Sequence, residues 1–253
     1  MKDRELIFLG GVAEARLIKY TKDISRFFPE MTLLDHLGGL RDAGFRRERL
    51  LLEARNAEFV TDEVVGCIEN HKRPNIKVID AITWSSGLVY LMRAMPRLSR
   101  RFGIIAAVCP PIDSNQIRWN ELELSQGDNQ YLANWMGPEF WKPVQDQIAS
   151  LTAGGTRVVA FLPPLDDRVD RENLEAACVA VRTHDPDGDS LEQILGTNII
   201  STACCDGRVQ YAVGDIAQMC SLGIEVRHLP VQGHWKAIQD PDNLACIRAL
   251  FNE

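Results

Sequence analysis

The chain has 253 residues, of which 45% are apolar and 25% charged. It can therefore close a core of its own, and neither a fibrous nor a globally disordered chain fits. Thirty-five acidic residues against 28 Lys and Arg give a formal charge of −7, which opposes binding to duplex nucleic acid.

Residues 5–9 predict a strand closed by Gly10-Gly11, and 13–28 a helix with Leu17, Ile18, Ile24 and Phe27 at three-four spacing, ended by Pro29. Residues 31–35 predict a second strand that runs into the loop His36-Leu37-Gly38-Gly39. A long helical stretch over 46–70 places Phe59, Val60, Val64, Val65 and Ile68 on one side. Residues 76–82 are β-branched and free of charge between Lys77 and Asp80, as a buried parallel strand is. A helix over 87–97 and a fourth strand over 102–108 follow, and Cys109-Pro110-Pro111 stops that strand.

The rhythm then changes. Residues 112–150 are polar and aromatic by turns and hold three of the five tryptophans. Residues 158–162 form an apolar stretch before Pro163-Pro164, an acid-rich helical segment covers 170–181, and 185–189 reads as an exposed turn. The core rhythm returns with a fifth strand over 198–205, a helix over 213–222, a sixth strand over 224–229 and a closing helix over 240–251.

Strands alternating with helices predict an α/β fold, a mostly parallel sheet of about six strands covered on both faces. The core is expected in 1–111 and 196–253, with a helical cap inserted at 112–195. No apolar run approaches the roughly 20 residues of a membrane span. Residues 6–9 are too short for a secretory leader, and no small-residue cleavage pattern follows them. Seven cysteines without a Cys-x-x-Cys read as reduced thiols in a cytoplasmic protein, with Cys204-Cys205 as small packed hydrophobes.

In such sheets function lies at the carboxyl ends of the strands. The third strand ends in Thr83-Trp84-Ser85-Ser86-Gly87 and a helix begins at once. A sharp strand-to-helix turn presents Ser85 as a nucleophile, provided the residues two before and two after it are small. The competing reading is an ordinary loop with a serine N-cap. His234 follows the last strand, where an imidazole can reach back over the sheet and exchange a proton near neutrality. Asp206 follows the fifth strand and could orient that imidazole. The rival acids are Asp166 and Asp167, if 158–162 is instead a strand of the sheet.

Taken together, these segments resemble the alpha/beta-hydrolase superfamily over nearly the whole chain. Gly10-Gly11-Val12 is similar to the family's His-Gly-x loop, with Gly10 in the histidine's place. Asp35 to Gly39 is similar to its Asp-x-x-Gly-x-Gly loop, and Thr83 stands where the elbow usually has glycine. Gly233-His234-Trp235 and Asp240-Pro241 resemble its terminal Gly-His and the start of its last helix. The order Ser85, Asp206, His234 is the family's nucleophile, acid, histidine order. Before Leu6 there is little room for the family's first two antiparallel strands.

The resemblance implies a serine hydrolase that cleaves a carboxylic ester or thioester, with Ser85, Asp206 and His234 as catalytic residues. The N–H groups of Ser86 and Val12 would form the oxyanion hole. Gly11, Trp84, Trp119, Trp135, Trp141 and Trp235 would line the pocket, although cap-core packing accounts for the rings equally well. Ser85 replaces the aspartate that dehalogenation needs. The expected ligand is a small acyl ester or thioester, apolar or aromatic. Neither cofactor nor metal, nucleic acid nor membrane is expected, and a homodimer is allowed. A non-hydrolytic enzyme (cyclase, dehydratase or acyltransferase) and an inactive binding protein remain open alternatives.

Overall fold

A computed structural model describes residues 4–11, 21–37, 42–44, 56–70, 76–116, 135–163, 201–203 and 210–253. Its strands are β1 (Arg4–Leu9), β2 (Thr32–Leu34), β3 (Val78–Trp84), β4 (Arg101–Val108), β5 (Arg157–Leu162), β6 (Ser201–Ala203), β7 (Gln210–Ala212) and β8 (Glu225–His228). Its helices are α1 (Thr21–Phe27), α2 (Ala57–Asn70), α3 (Gly87–Ala94), α4 (Pro138–Ala153), α5 (Val213–Ser221) and α6 (Pro241–Leu250).

Six strands form one parallel sheet in the order β2-β1-β3-β4-β5-β8. Strand order reverses after β2, so the crossovers to either side of β1 lie on opposite faces. On one face α2 packs on α3, and α3 on α4; α1 packs against α6. The central strands are buried on both faces: every residue of β3 from Ile79 to Trp84 is buried, as is every residue of β5 from Val158 to Leu162. Such strands read as continuous apolar runs because neither face meets water.

Two expectations are corrected. The fifth strand of the sheet is β5, not residues 198–205. Of the latter, Ser201–Ala203 pairs antiparallel with Gln210–Ala212 in a separate two-stranded hairpin. Tyr211 ties this hairpin to the end of β4, its hydroxyl donating to the Pro110 carbonyl at 3.1 Å. The boundary of the insertion changes with the strand. Within 112–195, α4 and β5 belong to the core, because β5 is paired on both sides, with β4 and with β8. The physical reason is burial: an apolar strand with no solvated face is stable only inside a sheet. The segments 117–134 and 164–200 lie outside the described residues.

α4 carries two prolines. Pro138 opens it, where a missing N–H is harmless, and Pro143 sits one turn further in. Its buried residues Phe140, Trp141, Val144 and Ile148 recur at helical spacing and face α3.

Candidate active site

The site begins with a backbone that ordinary side chains avoid. Ser85 has φ of 55°, and so does nearly its register neighbour Cys109, at 47°, past the end of β4. Holding a non-glycine residue there costs about 1–3 kcal/mol and persists only where surrounding contacts enforce it. Those contacts are visible. The Ser85 N–H donates to the Val108 carbonyl at 2.9 Å, and the Cys109 N–H to the Phe161 carbonyl at 2.9 Å. Both continue the sheet ladder one step beyond the strands.

The steric demand on the elbow is met by glycine. A Cβ at Gly87 would lie 2.3 Å from the Leu9 carbonyl oxygen, so no other residue fits without moving β1 or α3. A Cβ at Gly11 would lie 2.7 Å from Ser86 Oγ and 2.9 Å from Ser86 N. The loop after β1 therefore packs directly on the turn that presents Ser85. Ser86 occupies the N-cap position of α3 but makes no side-chain capping bond, so capping does not explain this serine. Thr83, in the place of the usual glycine, is fully buried, and its Oγ1 has no hydrogen-bond partner among the described residues.

His234 lies past β8 in a turn entered through Gly233, whose φ of 122° favours glycine. It is buried, at 3% exposure, whereas Ser85 is half-buried. Trp84 connects the two: its Nε1–H donates to the His234 carbonyl at 3.0 Å, and its ring centroid lies 4.8 Å from the imidazole with planes 37° apart. Trp235 packs on the same indole, with centroids 4.7 Å apart. On the far side, Asn243 of α6 holds the loop. Its Nδ2 donates to the carbonyls of Val231 at 3.0 Å and Lys236 at 3.1 Å, while its Oδ1 accepts from the Val231 N–H at 2.9 Å. Asp240 caps α6 by accepting from the Asp242 N–H at 3.0 Å.

Of the residues singled out in the sequence, Gly11, Trp84, Ser85, Ser86, His234 and Trp235 gather around the carboxyl ends of β1, β3 and β8. Trp135 and Trp141 are both 2% exposed and pack away from water. Trp135 stacks on Phe140 at 4.6 Å and meets Tyr90 of α3 edge-on, and the Trp141 Nε1–H donates to the Trp135 carbonyl. Val12, Trp119, Asp166, Asp167 and Asp206 lie outside the described residues.

Asn243 was not foreseen, yet a signal exists: it shares the apolar face of its helix with Leu244, Ile247 and Leu250. An amide on such a face needs buried partners. Cys109 and Cys220 are buried, and Cys67 and Cys246 are half-buried. Among the described residues no three His, Cys, Asp or Glu gather to hold a metal, and no helix is long and apolar enough to cross a membrane.

No family model and no curated protein matches the chain. Among solved structures it is similar to a hydrolase from Oleispira antarctica, at a TM-score of 0.50 and 11% identity, covering 100% of this chain and 92% of that one. A lipase-esterase related protein from Clostridium acetobutylicum gives a TM-score of 0.48 at 8% identity, covering 99% of this chain and 94% of that one. Identities this low speak to architecture alone. The parallel order β2-β1-β3-β4-β5-β8, the serine turn after β3, the histidine loop after β8 and the Oleispira likeness together identify the fold as that of the alpha/beta-hydrolases.

Proposed function

We propose that this protein is a serine hydrolase acting on a small carboxylic ester or thioester. The observation that carries the reading is Ser85 in left-handed backbone at the tip of β3, directly after a tryptophan that hydrogen-bonds the carbonyl of the buried His234. A serine held in strained backbone on a sharp strand-to-helix turn is the arrangement expected of a nucleophile.

In this mechanism Ser85 Oγ attacks the acyl carbonyl while its proton passes to His234. The oxyanion that forms accepts hydrogen bonds from the N–H groups of Ser86 and Val12, each worth about 3 kcal/mol in the transition state. Collapse breaks the bond to the alcohol or thiol, which takes the proton from His234. Water then repeats the sequence and releases the acid. The packing of Gly11 on Ser86 supports this use of the loop, since a side chain there would fill the space beside the Ser86 N–H.

The acid partner is drawn from the chain that leaves β5, Asp166 or Asp167. β5 is the sheet neighbour of β8, and Leu162 pairs with His228, so chain leaving β5 starts beside the strand that leads to His234. Asp206 follows Ser201–Ala203, which is a strand of the separate pair and not of the main sheet. It keeps a claim because Tyr211 ties its hairpin to Pro110.

The test is covalent labelling. A fluorophosphonate should add one adduct to the wild type, on Ser85, and none at that position in Ser85→Ala. Turnover of an activated ester should fall by up to about 10⁶-fold in the variant with its melting curve intact. A wild type that takes no adduct at neutral pH, or equal labelling of both proteins, overturns the reading.

A further inference from the structure

Trp84 is the last residue of β3 and is joined to Ser85 by one peptide bond. A wall of a substrate pocket keeps a face toward that pocket, but Trp84 has 0% exposure and is spent on protein contacts. Its indole lies against the imidazole of His234 and the ring of Trp235, and its N–H reaches the carbonyl of His234 itself, 150 positions along the chain. The two restraints act on different degrees of freedom. A hydrogen bond to the His234 carbonyl fixes the backbone from which the imidazole hangs. The ring contact limits the rotation of the imidazole about its own side-chain bonds. Asn243 shapes the same loop from α6, but its bonds go to Val231 and Lys236, on either side of His234. The Trp84 bond instead crosses from the loop to the nucleophile's own strand.

We infer that Trp84 is a positioning residue that sets the distance between Ser85 and His234, and not a part of the substrate pocket. The inference rests on the serine-hydrolase reading. The chemistry suits the residue type: indole carries a donor and no acceptor at the far end of a rigid ring, so one side chain supplies both the bond and the stacking face. Proton transfer between serine and histidine requires hydrogen-bond reach, and a displacement of about 1 Å can lower the rate about 10²-fold.

The experiment compares wild type with Trp84→Phe, which keeps an aromatic face and loses the N–H. Hydrolysis of p-nitrophenyl butyrate is measured per active site titrated with a fluorophosphonate, together with the rate of fluorophosphonate labelling of Ser85. The expected result is a kcat and a labelling rate lowered by roughly 10- to 100-fold with KM within about 2-fold of wild type. Loss of folded protein alone would lower the titrated fraction and leave kcat per site unchanged. Should Trp84→Phe fail to fold, benzothienylalanine at position 84 replaces the N–H by sulfur with little change in shape, and the same comparison applies. Unchanged kcat and labelling rate per site in a folded variant, or a change confined to KM, overturns the inference and leaves the hydrolase reading standing. A wild type that Ser85 labelling never reaches overturns both.

Discussion

Arg4 forks onto Asp80 at the amino end of the central sheet, and Arg157 and Arg227 share Glu225 and Glu253 on its β5-β8 edge; at the carboxyl end, Ser85, Cys109 and Gly233 hold left-handed backbone. The amino end is tied by charges that close on one another. Asp80 lies at a register shift between β3 and β4, where its carboxylate also accepts the Ile104 N–H at 2.8 Å. Gly103 leaves room for this, since a Cβ there would meet the Arg4 guanidinium at 2.3 Å. The carboxyl end stores strain instead. The comparison suggests that one end contributes stability that the other spends on presenting Ser85, which is how strained sites persist in a marginally stable molecule. Substitutions at the two ends should then separate activity from stability.

After Ser85→Ala, the largest effect belongs to the acid. Asn is placed in turn at Asp166, Asp167 and Asp206, and kcat on one activated ester is followed with melting curves. One of the first two should lose about 10⁴-fold in kcat while the melt stays near wild type, because the wrong histidine tautomer is favoured and little else changes. Asp206→Asn should leave turnover close to wild type. The reverse pattern would put the orienting carboxylate beside the hairpin and remove the argument from β5.

Asp80→Ala should do the opposite. It strips the Ile104 N–H of its acceptor, which costs about 1–3 kcal/mol. Arg4, with its side chain 43% exposed, returns to water and adds little. Urea unfolding should show a lowered midpoint, and kcat should stay within about 2-fold of wild type. A large loss of kcat in a folded Asp80→Ala would mean the two ends are coupled through β3, and the division drawn above would fail.

How far the sequence carried this picture depended on whether a segment's neighbours were near it in the chain. β1, β3 and β4 were legible because each is an apolar run stopped by glycine, a small-residue turn or proline. β5 has the same composition, but α4 before it carries Pro143 inside the helix and a polar exposed face, which hides the helical period and makes the segment look like an insertion. Residues 198–202 are β-branched enough to pass for a sheet strand, and only pairing distinguishes a hairpin strand from a central one. The places of Ser85 after β3 and of His234 after β8 were legible. The role of Trp84 was not, because it rests on a contact spanning 150 positions between a ring and a backbone carbonyl. Periodicity carries no trace of such a bond.

The smallest expected effect sharpens the account of the ion pairs on the β5-β8 edge. Hydrogen bonds from Arg227 and then Arg157 hold the Glu253 carboxyl down to about 2. Burial alone would raise Glu225, but the guanidinium groups of Arg157 and Arg227 outweigh it and lower that carboxyl as well. A carboxyl with a lowered folded-state pKa contributes stability above its unfolded value, and that contribution is lost as pH falls through the folded value. For Glu253 the window runs from the ordinary carboxylate range, about 4, down to about 2. Glu253→Gln should therefore melt slightly below wild type at pH 7, and the gap should close on acidification to pH 2. Glu253 lies at the surface, so salt should shrink the gap at pH 7, the Debye length falling from about 10 Å at 0.1 M to about 3 Å at 1 M. Turnover at pH 7 should not change, since these charges lie on the β8 edge of the sheet, with β4 and β5 between that strand and β3. A gap of the same size at pH 2 and pH 7 would mean that Glu253 acts through packing of its side chain, and stabilisation by charge would then rest on Arg4 and Asp80 alone.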